Sequence, residues 1–288
     1  MDYSALIQNR KSFRSFTAQP VTYAALEEID VFFHESCQRL DLSIPVELTV
    51  FPSEVHAGLD GIVGYHQIMI GAPAYLLLRS STGSHARENL GYMMEDLVLK
   101  LLDLGYDSCW LNIDDEKVLL ERLNLDLDKS VCALIAFGIG KKERKTLRLT
   151  IKSMSDIDAE VKRGYFAQKK NIHEMVYLNA LGSSEPIAPY LDSYGEHLWR
   201  AFYAATLSPS YLNRQPYAFV VKDNICYLIR VHDQFTNDDN AAIGHGIVML
   251  HFAATLKHLI PDSKWCFDVD GTSLALPDGC VAVARYQL

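Results

Sequence analysis

APAYLLLRSSTGSHARENLGYMMEDLVLKLLDLGYDSCWLN, residues 72–112, contains in one stretch the elements that decide the fold. It opens with a continuously apolar run, Ala72 to Leu78, of the kind that forms a strand buried on both faces. The helix that follows spans about Glu88 to Leu104. Leu90, Met93, Met94, Leu97, Val98, Leu101 and Leu102 fall at the three-four repeat of a core-facing stripe, and Gly105 is placed to stop it. A short segment, Tyr106 to Asn112, then carries Cys109 and Trp110.

Toward the N-terminus the sequence predicts a helix from about Tyr3 to Asn9, a second opened by Thr22, and an alternating strand from Pro45 to Phe51. Toward the C-terminus it predicts a helix near Glu116 to Leu123 and a buried strand Val131 to Phe137 ended by Gly138 and Gly140. A basic stretch between Lys141 and Lys170 follows, readable as a solvated linker. Beyond it come a helix Tyr190 to Leu207, strands Ala218 to Val221 and Ile225 to Val231, a long apolar helix Ile243 to Leu259, and a last strand Cys280 to Arg285.

The order strand, long apolar helix, tryptophan-cysteine segment, final strand thus occurs twice, which points to an internal repeat. Tyr75 and Tyr227 are offset by 152 residues, Gly91 and Gly244 by 153, Trp110 and Trp265 by 155, so the second copy is expected to hold about two extra residues between helix start and tryptophan. The copies are unequal. The first carries RKSFR at 10–14 and reads FFHESCQRLDLSIP at 32–45 before its strand, whereas the second carries SPSYLNRQP at 208–216 and has no clear counterpart of RKSFR. If both features serve one ligand, each half supplies what the other has lost.

Composition sets bounds on function. The chain has 288 residues, 49% hydrophobic and 22% charged, enough apolar material for one large domain or two half-size ones. Twenty-seven Lys and Arg against 36 Asp and Glu leave a net charge of −9, which disfavours nucleic acid and anionic membranes as partners. No apolar run reaches the roughly 18 to 20 residues of a membrane span and the N-terminus lacks a signal-peptide core, so a cytoplasmic protein is expected. Six cysteines without a CxxC pair and ten histidines without HExxH signal neither a disulfide framework nor a metal site. Cys109 has no basic neighbour along the chain and reads as a bystander thiol. No GxGxxG string follows a strand, which argues against a Rossmann domain.

Two strings suit a ligand. Arg10, Lys11, Ser12 and Arg14 place three cations and a hydroxyl within five residues, a set suited to a phosphate monoester. Pro209 and Pro216 stiffen the segment joining a helix to a strand, and between them Ser210 and Asn213 offer short polar groups able to meet a planar heterocycle.

With RKSFR at 10–14 and PSYLNRQPY at 209–217, the sequence resembles the nitroreductase family, whose members carry an RRSxR-like string after a first helix and a PSxxNxQPW-like string before a strand. The two unequal repeats resemble its putative TM nitroreductase branch, where TM does not mean transmembrane. The resemblance implies an α+β fold around FMN. The two strings stand on different repeats, 1–165 and 166–288, so it implies a single-chain pseudodimer with one complete FMN site.

Carried over residue by residue, Arg10, Lys11, Ser12 and Arg14 would bind the phosphate, while Pro209, Ser210, Asn213 and Gln215 would line the flavin. Ser108, Cys109, Trp110 and Leu111 would approach the ring, although the family's LGLGS reads LGYDS here at 104–108, and Lys169 and Lys170 would add phosphate-binding charge just before a helix at Asn171. The implied activity is transfer of reducing equivalents from NAD(P)H to a small electron-poor acceptor such as a nitroaromatic or quinone. The alternative is a flavin-binding or scavenging module with little turnover, its flavin face covered by the loop Gly58–Tyr65 or the loop Asp233–Asp239.

Overall fold

A computed structural model describes residues 1–64, 67–141 and 168–288, together with the backbone of two strands at 146–153 and 156–162. Of the basic stretch between Lys141 and Lys170, residues 142–145, 154–155 and 163–167 and the side chains of the two strands lie outside the description, as does Tyr65 of the first loop.

The first half runs α1 (Tyr3–Asn9), α2 (Tyr23–Glu35), β1 (Val46–Pro52), α3 (His56–Leu59), β2 (Ala74–Ser80), α4 (Ala86–Asp103), β3 (Asp107–Leu111), α5 (Glu116–Arg122) and β4 (Val131–Gly138). A hairpin, β5 (Thr146–Ser153) and β6 (Asp156–Lys162), follows. The second half runs β7 (Val176–Leu178), α6 (Ala188–Ser193), α7 (Glu196–Thr206), β8 (Tyr217–Lys222), β9 (Ile225–Arg230), α8 (Asp238–Leu256), β10 (Trp265–Cys266) and β11 (Val281–Gln287). Asp2 and Thr22 cap α1 and α2 through side-chain oxygens that accept from the third residue on, as short polar residues do at helix starts.

The sheet orders are consistent with a two-repeat arrangement. The first sheet is β1-β2-β4-β3 and the second contains β8-β9-β11-β10, and every one of these pairings is antiparallel. Strand for strand the order is the same, with α4 between the second and third strand of one set and α8 at the same place in the other. β7 adds to the second sheet, parallel to β8.

α4 and α8 pack on each other between the two sheets, and this explains why α4 is buried almost all round rather than on one stripe. Close approach rests on two glycines. A Cβ on Gly91 would collide with the Ile243 carbonyl, and one on Gly246 with the Glu88 carbonyl, whereas one on Gly244 would meet nothing within 4 Å. The structural counterpart of Gly91 is therefore Gly246, not Gly244. Their offset of 155 equals that of Trp110 and Trp265, so the extra residues of the second copy precede the helix crossing instead of following it.

Two other expectations change. The predicted helix Tyr190 to Leu207 is two helices, α6 and α7, broken at Gly195, whose φ of +67° a residue with a side chain rarely adopts. The helix expected at Asn171 is one turn, Ile172–Glu174, closed by a reciprocal capping box between Asn171 and Glu174.

The first sheet is covered by α2 and α4 on one face and by α3 and α5 on the other. The second sheet packs on α7 and α8 through a ring cluster of Phe202, Phe219, Phe252, Trp265 and Tyr286. α1 belongs to the first half in sequence but buries Ile7 in the second half's core, against α7 and α8. That crossing delivers the residue after α1, Arg10, to the junction of the two halves.

Candidate functional site

After α1 the chain leaves the helix at Arg10 and runs along the edge strand β3. Ser12 bridges Ser108, the Phe13 N–H donates to the Ser108 carbonyl at 2.9 Å, and Phe16 bridges Gly140. The 10–14 string is thereby fixed against Ser108 and Cys109, two of the residues expected to approach the flavin ring. Lys11 and Arg14 are exposed. The Lys11 charge acts on the Asp107 carboxylate, whose oxygen accepts from the Gly140 N–H at 2.9 Å.

The second string closes on itself and on residues 168–170. Ser210 Oγ accepts from the Gln215 N–H at 2.9 Å, and Leu212, Asn213 and Gln215 all take positive φ, an unusual density of left-handed backbone that such internal bonds must hold. Asn213 Nδ2 donates to the Gln168 carbonyl at 2.6 Å, and Lys169 Nζ to the Ser208 carbonyl at 2.8 Å. Gln215 and Lys170 have an internal task instead of a free polar face. Gln215 Nε2 donates to the Thr206 carbonyl at 2.7 Å, its Oε1 accepts from the Lys170 N–H at 2.9 Å, and Lys170 Nζ donates to the Gln215 carbonyl at 2.7 Å. Pro209 is buried, and Leu111 points into the core with Leu77 and Leu134.

Between the strings stands a charged group the sequence reading did not identify. Glu95 of α4, fully buried, accepts from Trp110 Nε1 at 2.8 Å, is bonded to His251 Nε2 of α8 at 2.9 Å, and lies 3.5 Å from Arg10 Nε. Burial raises the Glu95 carboxyl's proton affinity, but the Arg10 charge together with His251 and Trp110 outweighs it and holds the carboxyl below its ordinary range. Glu95 sits four residues after Gly91, on the helix face that α8 meets, so the residue permitting the crossing and the residue carrying the charge share one face. The available signal was a carboxylate inside the apolar run MMEDLV at 93–98, and a histidine in MLHFAA at 249–254.

Lys169 belongs to the same group. Burial and the nearby Arg10 charge lower its ammonium pKa to about 7, with Glu95 opposing. Two cations in a largely buried setting with one carboxylate leave an excess of positive charge, the condition that attracts an anion. Cys109 is corrected in one respect: the charges of Arg14 and Arg10 do act on its thiol, although burial dominates and pushes it up, so it stays protonated.

Among the described residues, three buried polar atoms here lack a fully formed hydrogen bond: Arg10 Nε, Asn213 Oδ1, and Ser208 Oγ, whose one neighbour is the Tyr217 hydroxyl. A buried donor or acceptor left unmade costs about 1–3 kcal/mol, and such atoms are rare in folded proteins. One comes from the first half and two from the second, and the bonds through Gln168 and Lys169 tie them to one neighbourhood. The loop 233–239 flanks this string: Arg214 pairs with Asp233 at 2.7 Å and lies over the Phe235 ring at 4.9 Å. Among the described residues no cluster of metal-ligating side chains is present, all six cysteines are free, and no helix is long and apolar enough to cross a membrane.

This arrangement of two like sheets around a central helix pair is that of the nitroreductase fold, and the chain belongs to the family described as "Putative TM nitroreductase", which matches residues 3–256. Among solved structures, a putative nitroreductase from Thermotoga maritima is similar over 99% of this chain and 92% of its own, at 14% identity and a TM-score of 0.58. An FMN-dependent nitroreductase from Clostridium difficile covers 48% of this chain and 88% of its own at 19% identity, TM-score 0.40. An FMN and NADPH-dependent nitroreductase from Sphigopyxis sp. covers 49% and 89% at 18% identity, TM-score 0.39. No curated protein matches the chain.

Proposed function

We propose that the chain is an FMN-dependent oxidoreductase that passes reducing equivalents from NAD(P)H to a small electron-poor acceptor, a nitroaromatic or a quinone. The observation that carries this reading is the convergence of the incompletely bonded Arg10 Nε, Ser208 Oγ and Asn213 Oδ1 beside Lys169. The residues fit the cofactor's two ends. Arg10 and Lys169, with Ser12 and the exposed Lys11 and Arg14 on the same string, suit the phosphate; Asn213 Oδ1 and Ser208 Oγ suit the polar edge of a planar heterocycle and its side chain.

When bound, FMN supplies the acceptance and delivery of reducing equivalents, chemistry that no side chain in the site provides. The protein's share is binding, orientation and charge. Arg10 is held by the buried Glu95, which Trp110 and His251 fix from β3 and α8, so the guanidinium is positioned before any ligand arrives. Ser108 and Cys109 present strand backbone beside the 10–14 string, and Lys169, near neutrality in pKa, holds a proton that an anionic ligand would retain there.

On this reading the two repeats, 1–165 and 166–288, form a single-chain pseudodimer with one composite site, supported by the matching strand orders of the two sheets. The boundary itself lies outside the described residues. The test is anaerobic addition of NADH and NADPH to FMN-loaded protein, followed by a nitroaromatic or quinone. Bleaching with one donor and recovery of the oxidised spectrum on adding acceptor is expected. A bound flavin that neither donor reduces would instead favour the flavin-binding module.

A further inference from the structure

His251, fully buried on α8, turns both of its ring nitrogens on acceptors. Nδ1 lies 3.1 Å from the Ala204 carbonyl oxygen of α7, and Nε2 lies 2.9 Å from Glu95 Oε1 of α4. A neutral imidazole carries one N–H and one lone pair, so it serves only one acceptor and turns its lone pair on the other. In a buried setting that mismatch costs the desolvation of the unmet group. The carbonyl can only accept. Two arrangements satisfy both contacts: an imidazolium that donates twice, or a neutral ring whose Nε2 accepts the proton of a carboxylic acid at Glu95.

The surroundings of Glu95 decide between them. Its Oε2 accepts from Trp110 Nε1 at 2.8 Å and its Oε1 lies 3.5 Å from Arg10 Nε, contacts that favour the ionised carboxylate and hold it below its ordinary range. The charged and titratable groups facing this centre are Glu95 and Arg10, Lys169 close to both, and the buried Tyr217 hydroxyl of β8, whose deprotonation the Glu95 charge opposes. An ionised Glu95 leaves His251 as the donor of both bonds.

The group is built at one place only. The 155-residue offset that relates Gly91 to Gly246 puts Asp96 at the position of His251 and Leu250 at the position of Glu95. Asp96 accepts from the Gln38 N–H at 2.8 Å and from the Tyr3 hydroxyl at 2.9 Å, a carboxylate where the other helix has its imidazole. The repeats have therefore diverged in charge, and the cationic member stands at the junction where Arg10 and Lys169 meet.

We propose that His251 is a positioning residue held as an imidazolium, which donates to the Ala204 carbonyl and to Glu95 and, through the ionised Glu95, orients Arg10 toward the phosphate of the bound cofactor. The action on the phosphate rests on the flavin reading; the charge state of the ring does not.

The charge state is tested by nitrogen-15 NMR of the full chain labelled at histidine, at about pH 7.5, where a free imidazole is mostly neutral. The His251 signals, assigned by their loss in His251→Gln, are expected to show both ring nitrogens protonated. A neutral ring would overturn the proposal whatever the chain binds. The positioning role is tested by titration with FMN and with riboflavin, which lacks the phosphate. His251→Gln keeps a donor toward Glu95 without the charge; it should weaken FMN binding about fivefold or more, leave riboflavin within about twofold, and add no further loss in the Arg10→Gln background. Equal weakening of the two ligands, or a loss undiminished in Arg10→Gln, would overturn the role. If the native chain takes up neither flavin, the flavin reading fails and the positioning role with it, while the NMR result still decides the charge of His251.

Discussion

Arg10 Nε faces Glu95 Oε1 at 3.5 Å without a hydrogen bond, so its guanidinium has charge compensation but unmet donor capacity. If Arg10 holds the FMN phosphate as proposed, replacing it with Gln removes charge-assisted contacts worth about 1.5–3 kcal/mol, and FMN affinity should fall about 10- to 100-fold by fluorescence titration. The same variant leaves Glu95 buried with only Trp110 and His251, so its melting temperature should also fall. Lys169 gives a pH signature. An anion beside it raises its pKa above the free value of about 7, so binding takes up a proton: affinity is fully present below pH 7 and falls as pH rises above it. Lys169→Arg, charged throughout, should flatten that profile between about pH 7 and 9. Of this candidate site the two strings stood out in the sequence as ligand candidates by their residue types, and the fold brings Arg10 and the 208–213 segment together through Lys169. Glu95 and His251 did not stand out: they are 156 residues apart, and a buried polar residue in an apolar helix names no partner until the fold supplies one.

At the level of elements, the α4–α8 crossing makes a sharp contrast between three glycines. Gly246→Ala drives a methyl into the Glu88 carbonyl of the other helix and should destabilise by about 1–3 kcal/mol or more, and Gly91→Ala similarly against Ile243. Gly244→Ala, two residues away from Gly246 on the same helix, meets open space and should gain up to about 1 kcal/mol from helix propensity. Chemical denaturation of the three variants checks the order. The two long helices and the buried strands were readable because apolar periodicity is a local signal. The pairing of glycines was not: sequence offsets alone made Gly244 as good a match for Gly91 as Gly246, and only the contact surface separates them. The break between α6 and α7 was missed for a similar reason, since Gly195 inside a helical pattern is tolerated unless its φ is positive.

At the scale of the whole molecule, His245 of α8 is fully buried with Nε2 unpartnered, and burial, with the Arg230 charge adding, lowers its pKa from 6.5 to about 3. The unfolded chain takes up this proton near pH 6.5 and the folded one does not, so the associated stability is present above pH 6.5 and is lost progressively as pH falls toward 3. At pH 5 the loss is about 2 kcal/mol. It should be visible as a difference in unfolding free energy between the native chain and His245→Asn, whose acid profile should be flatter.

The two halves supply Arg10 on one side and Ser208 and Asn213 on the other, joined through one central helix pair. On the proposed reading the site is a property of the whole chain and of neither half. The most direct test is equilibrium titration of the chain with FMN, repeated on Arg10→Gln and Asn213→Ala. The account predicts one FMN per chain and weakened binding in both variants. Two FMN per chain, no binding, or an affinity indifferent to either substitution would contradict it.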